Sequence, residues 1–138
     1  MPFVESKYRV DTARRTLIGH SYGGLFVGFA LTMDRPSRHY FANFIALDGS
    51  FWQQPDLMAS GNQALFDAYN GVLPAVKVVL SSTTQGNAFY VQSYFDALSA
   101  FRFAGLDVIL IPPYTTSHLS MFDQGFKDSV EQIMPIPQ

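Results

Sequence analysis

Thr16-Leu17-Ile18-Gly19-His20-Ser21-Tyr22-Gly23-Gly24-Leu25-Phe26 decides how the rest of the chain is read. A short apolar run stops at Gly19, a serine follows between two glycines, and an apolar segment of helical length begins at once. G-x-S-x-G in this setting is the sequence of a sharp strand-to-helix turn that carries a nucleophile. The turn holds Ser21 in a strained conformation and projects its hydroxyl above a sheet. Gly19 and Gly23 are expected to be small because the strand and helix backbones pass close to each other. The helix start behind Ser21 offers free N–H groups and the positive end of a dipole, and the N–H of Tyr22 is placed to bind a developing oxyanion. The bare pattern arises by chance in about 5% of chains this long, so its weight comes from the strand and helix that flank it.

Working outward, three more runs read as strands: Phe41–Leu47, Val76–Ser81 and Asp107–Pro112. The last two are nearly continuous in apolar residues, as expected of parallel strands buried on both faces. Between them lie helical stretches at Tyr22–Met33, Pro55–Tyr69 and Ala88–Ala104. In the last of these, Val91, Tyr94, Phe95, Leu98 and Phe101 share one helical face, and Gly105 is the expected residue just past its end. A final helix is expected over Leu119–Ile133, with Pro135 and Pro137 ending it. Strands alternating with helices imply βαβ units and a mainly parallel sheet of about four strands with flanking helices. No repeat, linker or low-complexity tract divides the 138 residues, so the expectation is a single domain over 1–138.

Composition narrows the function. Apolar residues make up 48% and charged residues 14%, which excludes a disordered chain. The net charge of −2 offers no field for a nucleic-acid backbone. There is no cysteine, hence no thiolate metal site, disulfide or cysteine nucleophile, and the three histidines are too scattered for a metal cluster. No metal or organic cofactor is expected. The first seven residues lack the apolar run of a signal peptide. The longest apolar stretch, Leu25 to Met33, is short of the about 20 residues that span a bilayer. The expectation is a soluble, cytoplasmic protein with no membrane partner.

Ligands of open parallel sheets bind beyond the carboxyl ends of the strands, so the candidates are sought there. His118 follows the last strand, and the order Ser21 then His118 is that of α/β-hydrolases. An imidazole there takes the serine proton and returns it to a leaving group. His39 falls at an amino end and is read as a surface residue; His20 is read as packing or hydrogen-bonding locally. The third member should be a carboxylate that orients the imidazole. Its usual place, the turn Ser81–Asn87, holds no Asp or Glu. Asp48, at the end of the second strand, is one choice; the alternative for Asp48 is a turn residue bonding its own backbone. A Ser-His dyad, with Gln85 or a backbone carbonyl holding the ring, stays open. Phe51, Trp52, Tyr90 and Tyr114 fall near strand ends, where they would line a substrate pocket or simply pack.

These residues carry a family likeness. From Pro2 through Arg9 and from Arg14 through Phe26 the chain resembles the α/β-hydrolase esterase family that includes esterase D and enterochelin esterase-like proteins. Asp48-Gly49-Ser50-Phe51-Trp52 is similar to that family's Ser-Pro-Ser-Leu-Trp-type segment, and Ser117-His118-Leu119-Ser120-Met121 to its histidine motif. The resemblance implies a minimal or truncated α/β-hydrolase that cleaves a small-molecule ester, with Ser21 as nucleophile and His118 as base. It maps to the carboxyl-terminal half of the family fold. The first strands and the loop that supplies a second oxyanion N–H have no counterpart. The rival expectation is therefore a catalytically impaired fragment that serves as a binding or scaffold module. Because Thr16–His20 would then be an edge strand, and Tyr22–Met33 is apolar nearly all round, a homodimer or higher homo-oligomer is expected through Thr16–Met33.

Overall fold

The two central apolar runs become parallel strands covered on both faces, whereas the run at Asp107–Pro112, expected to be buried likewise, forms an edge strand with no fully buried residue. A computed structural model describes residues 2–134. Four strands, β1 (Thr16–His20), β2 (Asn43–Leu47), β3 (Val72–Ser81) and β5 (Ala104–Leu110), form one all-parallel sheet in the order β1-β2-β3-β5. Alternation along β2 shows how the layers are filled. Phe44 and Ala46 pack into a cluster with Leu31, Leu65, Val91 and Leu98, which come from α2 (Tyr22–Thr32), α3 (Pro55–Tyr69) and α4 (Ala88–Ala100). Ile45 and Leu47 point the other way, onto Val79, Met121 and two residues of α5 (Phe122–Ile133), Val130 and Ile133. Before the sheet lies a short helix, α1 (Pro2–Lys7).

Two features depart from the sequence reading. A second, two-stranded parallel sheet pairs β4 (Thr83–Gln85) with β6 (Tyr114–Ser117), a pairing with no apolar pattern to announce it. The expected end of α4 also moves. The helix stops at Ala100, and Arg102 rather than Gly105 takes the left-handed conformation past it (φ 51°). Gly105, at φ 84°, lies within β5, where an added Cβ would sit 2.2 Å from the carbonyl oxygen of Leu73. It serves close strand contact beside the register shift of β3 and β5, not a helix cap. Pro135 and Pro137 fall outside the described residues.

His39 is not a free surface residue. Its Nδ1 lies 2.8 Å from Asp34, a buried carboxylate that also accepts the Tyr69 hydroxyl at 2.6 Å. Burial and the Asp34 charge together push the Tyr69 phenol far above its ordinary range, so it stays a donor. β1 is an edge: among the described residues it pairs only with β2, and Ile18 on it is exposed.

The glycines of the elbow divide differently from expectation. A Cβ on Gly19 would lie 2.1 Å from the Gly23 carbonyl oxygen, and one on Gly24 would lie 2.8 Å from the Gly49 Cα. A Cβ on Gly23 meets nothing within 4 Å. The close approach needs Gly19 and Gly24, while Gly23 faces open space. Urea unfolding should separate them: Gly19→Ala is expected to cost about 1–3 kcal/mol, and Gly23→Ala to leave stability unchanged or raise it by up to about 1 kcal/mol.

Candidate active site

Strand ends set the positions. The β1–β2 ladder runs one bond beyond β1, with the Ser21 N–H donating to the Leu47 carbonyl at 2.9 Å. The β2–β3 ladder likewise runs on, with the Asp48 N–H donating to the Ser81 carbonyl at 2.7 Å. Ser21 and Asp48 are thus carried to the same end of the sheet as part of its hydrogen-bonded frame. Ser21 has φ 58° and ψ −118°, a conformation that an L-residue holds only where its surroundings enforce it. Its own carbonyl accepts from the N–H of Leu25 at 3.1 Å and of Ser50 at 3.0 Å. The chain then turns directly into α2, which begins at Tyr22.

Asp48 is fully buried and also has a positive φ of 45°. Its Oδ1 accepts the backbone N–H of Thr83 at 3.1 Å and of Asn87 at 2.9 Å, and the Asn87 amide donates to the Asp48 carbonyl at 2.8 Å. Its Oδ2 lies 2.5 Å from Nδ1 of His118, the geometry of a charge-assisted bond in which Nδ1–H donates. With Nδ1 so occupied, the lone pair of the neutral ring is on Nε2. The turn that holds no carboxylate is therefore the cradle of one. Gly86 makes the cradle possible, since a Cβ there would lie 2.1 Å from Oδ2. Gln85, weighed as a holder of the imidazole, donates instead to the Thr115 carbonyl at 2.6 Å. Thr83 Oγ1 donates to the carbonyls of Tyr114 and Thr116. The small β4–β6 sheet thus ties the Asp48 cradle to the loop that carries His118.

Further contacts on His118 come from His20, expected to pack or hydrogen-bond locally. The His20 Nε2–H donates to the His118 carbonyl at 2.9 Å, and the two rings lie 4.5 Å apart, centre to centre. Phe122 meets His20 edge-on from the start of α5. Ser21 Oγ has Ser50 Oγ as its partner, at 3.4 Å, and makes no hydrogen bond to His118. The other expected residues scatter. The Phe51 ring is buried and stacks on Tyr94 at 4.1 Å. Trp52 is half exposed, and the Tyr22 side chain lies outward with its hydroxyl accepting from Gln53. Tyr114 turns its hydroxyl to Asp128 of α5 at 2.7 Å and packs in the α5-side cluster, where burial and Asp128 push its phenol far up. Among the described residues no three His, Asp or Glu side chains cluster as metal ligands would.

A parallel sheet with helices on both faces, a strained serine at the end of a strand and a paired aspartate and histidine at the same end define the α/β-hydrolase class of fold. No known family profile matches the sequence. Solved structures do resemble it. A BES protein from Bacillus cereus superposes with a TM-score of 0.82 at 18% identity, over 96% of this chain and 49% of that one. An IroE-like serine hydrolase from Shewanella oneidensis gives 0.75 at 22% identity, over 95% of this chain and 43% of that one. The enterobactin and salmochelin hydrolase IroE gives 0.64 at 22% identity, over 98% of this chain and 52% of that one. The chain spans about half the length of these proteins.

The cradle can be tested without any substrate. An imidazole N–H held by a buried carboxylate gives a far-downfield proton resonance. That resonance is expected to disappear in Asp48→Ala and in Gly86→Ala. Asp48→Ala should also cost at least about 2 kcal/mol on unfolding, because it strands two backbone N–H groups.

Proposed function

We propose that this chain is a serine hydrolase acting on small carboxylic esters. The observation that carries the reading is the Asp48–His118 pair at the sheet end where the strained Ser21 stands. In this mechanism the Ser21 hydroxyl swings from Ser50 towards His118, and Nε2 takes its proton as Oγ attacks the ester carbonyl carbon. The carbonyl π electrons move to oxygen, and the Tyr22 N–H and the start of α2 stabilise that oxyanion. Asp48 holds the imidazolium in place without itself taking a proton. When the tetrahedral species collapses, the C–O bond to the alcohol breaks and His118 protonates the departing oxygen. Water then attacks the acyl-enzyme as His118 takes one of its protons, the bond to Ser21 Oγ breaks as His118 returns that proton to Oγ, and the acid leaves. The resemblance of the fold to hydrolases such as IroE supports this class of chemistry.

A second reading is a catalytically impaired fragment that binds a ligand without turning it over. Two observations favour it: the match to about half of each similar chain, and the absence of a Ser21–His118 hydrogen bond. A fluorophosphonate probe and a series of p-nitrophenyl esters distinguish the two. The enzyme reading expects labelling of Ser21 and ester turnover. It expects Ser21→Ala to abolish both and His118→Ala nearly so, the double variant being no worse than Ser21→Ala. Asp48→Asn is expected to lower the rate about 10⁴-fold, more than any other single carboxylate change. An unlabelled, inactive wild-type chain overturns the enzyme reading and leaves the impaired fragment.

We also propose that a second copy of the chain covers the β1 edge. Ile18 on that strand is exposed, as are Phe26 and Met33 around α2, and bare apolar edges invite pairing. Light scattering at micromolar concentration should show a dimer or larger species, and a monodisperse monomer would refute the assembly.

A further inference from the structure

His118 is held at two points, its ring and its main chain. Asp48 Oδ2 fixes Nδ1 of the ring. A ring held by a single bond still pivots about it, so the direction of Nε2 depends on where the His118 main chain sits. That main chain lies in the short turn between β6 and α5. Bonds within the turn join the Ser117 and Ser120 hydroxyls at 2.7 Å and the Met121 N–H to the Ser117 carbonyl at 3.1 Å. They fold the turn on itself and do not tie it to the nucleophile. The tie to the nucleophile comes from His20, the residue before Ser21 on β1. Its Nε2 lies 2.9 Å from the His118 carbonyl oxygen. A carbonyl only accepts, so Nε2 carries a proton and donates. The His20 ring also lies against the His118 ring, 4.5 Å between centres and tilted by 30°, with Phe122 edge-on at 5.7 Å.

We infer that His20 is a positioning residue for the candidate base: its Nε2–H pins the His118 main chain to the strand that carries Ser21 and so sets the direction of His118 Nε2. The kinetic consequence rests on the ester-hydrolase reading; the geometry does not. His20 and Ser21 are joined by one peptide unit, so the strand end carries the nucleophile and the anchor of its base together. The Asp48 tie reaches Ser21 by another route, through the Leu47 carbonyl that accepts the Ser21 N–H. One tie fixes the ring and the other fixes the backbone it hangs from. The His20 bond ends on a main-chain oxygen, so it persists whether the His118 ring is neutral or protonated. Such fixing matters here because the Ser21 hydroxyl rests near Ser50 and must meet Nε2 by rotating. Misplacing a reacting group by about 1 Å costs on the order of 10²-fold in rate. The competing account is packing alone, with His20 as filler between His118 and Phe122.

Two substitutions separate the bond from the ring. His20→Phe keeps a ring against His118 and removes the donor. His20→Gln removes the ring and keeps an N–H donor near the place of Nε2. On a p-nitrophenyl ester, His20→Phe is expected to lower kcat about tenfold or more with KM within about twofold, because the base works only in the chemical steps. His20→Gln is expected to stay within about threefold of the wild-type kcat, since the bond is restored. A second reading needs no substrate. The far-downfield Nδ1 proton of His118 is expected to exchange with water about threefold faster or more in His20→Phe than in the wild type, as the loss of one hydrogen bond allows. A ring still covers His118 in that variant, so lost cover does not account for the change. Packing alone predicts wild-type kcat and wild-type exchange in folded His20→Phe. The inference is overturned if His20→Phe turns over as the wild type does, if its loss lies in KM, if His20→Gln is no better than His20→Phe, or if the exchange rate is unchanged. A wild type that neither labels nor turns over removes the ester reading instead, and the exchange rates then decide the role of His20 by themselves.

Discussion

A single buried carboxylate holds the working end of this molecule together. Asp48 belongs to the sheet through its N–H, receives the N–H groups of Thr83 in β4 and Asn87 just before α4 through Oδ1, and holds His118 through Oδ2. Three segments far apart in sequence thus converge on one side chain. A fully buried charge is tolerated only when its acceptor sites are filled, and here two backbone N–H groups and an imidazole fill them. Each partner needs the other two. Without the turn, the carboxylate is undersolvated; without the carboxylate, the turn has two orphaned N–H groups and the imidazole has no fixed orientation.

The strands and the elbow were legible because their causes are local. Val76–Ser81 reads as a strand from its own side chains, since a parallel strand covered on both faces is apolar at nearly every position. Gly19 to Gly24 reads as a turn from its own spacing, although sequence assigned the tight contact to Gly19 and Gly23 where it falls on Gly19 and Gly24. The choice of Asp48 over a dyad was open for the opposite reason. Residues 83–87 look like a polar turn with no catalytic side chain, and what they contribute is backbone N–H groups, which every sequence has. The β4–β6 pair was invisible on the same ground, being short, polar and paired across about thirty residues. Arg102 shows a related limit: its left-handed conformation is imposed by the entry of β5, and no residue preference signalled it.

The layers are unequal, and that bears on the edge. Among the described residues, α2, α3 and α4 cover one face of the sheet and α5 covers the other. On the α5 side the outermost strand is β1, where Ile18 is in register with the fully buried Ile45 of β2 yet remains exposed. Phe122 and Phe126, stacked on each other along α5, are also part-exposed. Ile18, Phe122 and Phe126 are thus exposed apolar side chains on β1 and α5. His20 stands at this margin, with its ring against His118 on one side and Phe122 on the other. A second copy on the β1 edge, as proposed above, would approach within one side chain of the candidate base.

The Ser21 conformation completes the account of why this end of the sheet is rigid. A non-glycine residue held in such a region costs about 1–3 kcal/mol. Three backbone hydrogen bonds fix it, one donated to Leu47 and two accepted from Leu25 and Ser50. At about 0.5–1.5 kcal/mol each, their sum is of the same size as the strain or larger. The bonds are made by the strand ladder, by the first turn of α2 and by the segment after Asp48, so relaxing the serine would break all three structures at once. The strain is therefore paid by the frame and not by the side chain, whose hydroxyl makes only a long contact with Ser50. In the proposed mechanism, a serine fixed through its backbone and loosely held at its oxygen is free to turn to His118, whose Nδ1 bonds Asp48.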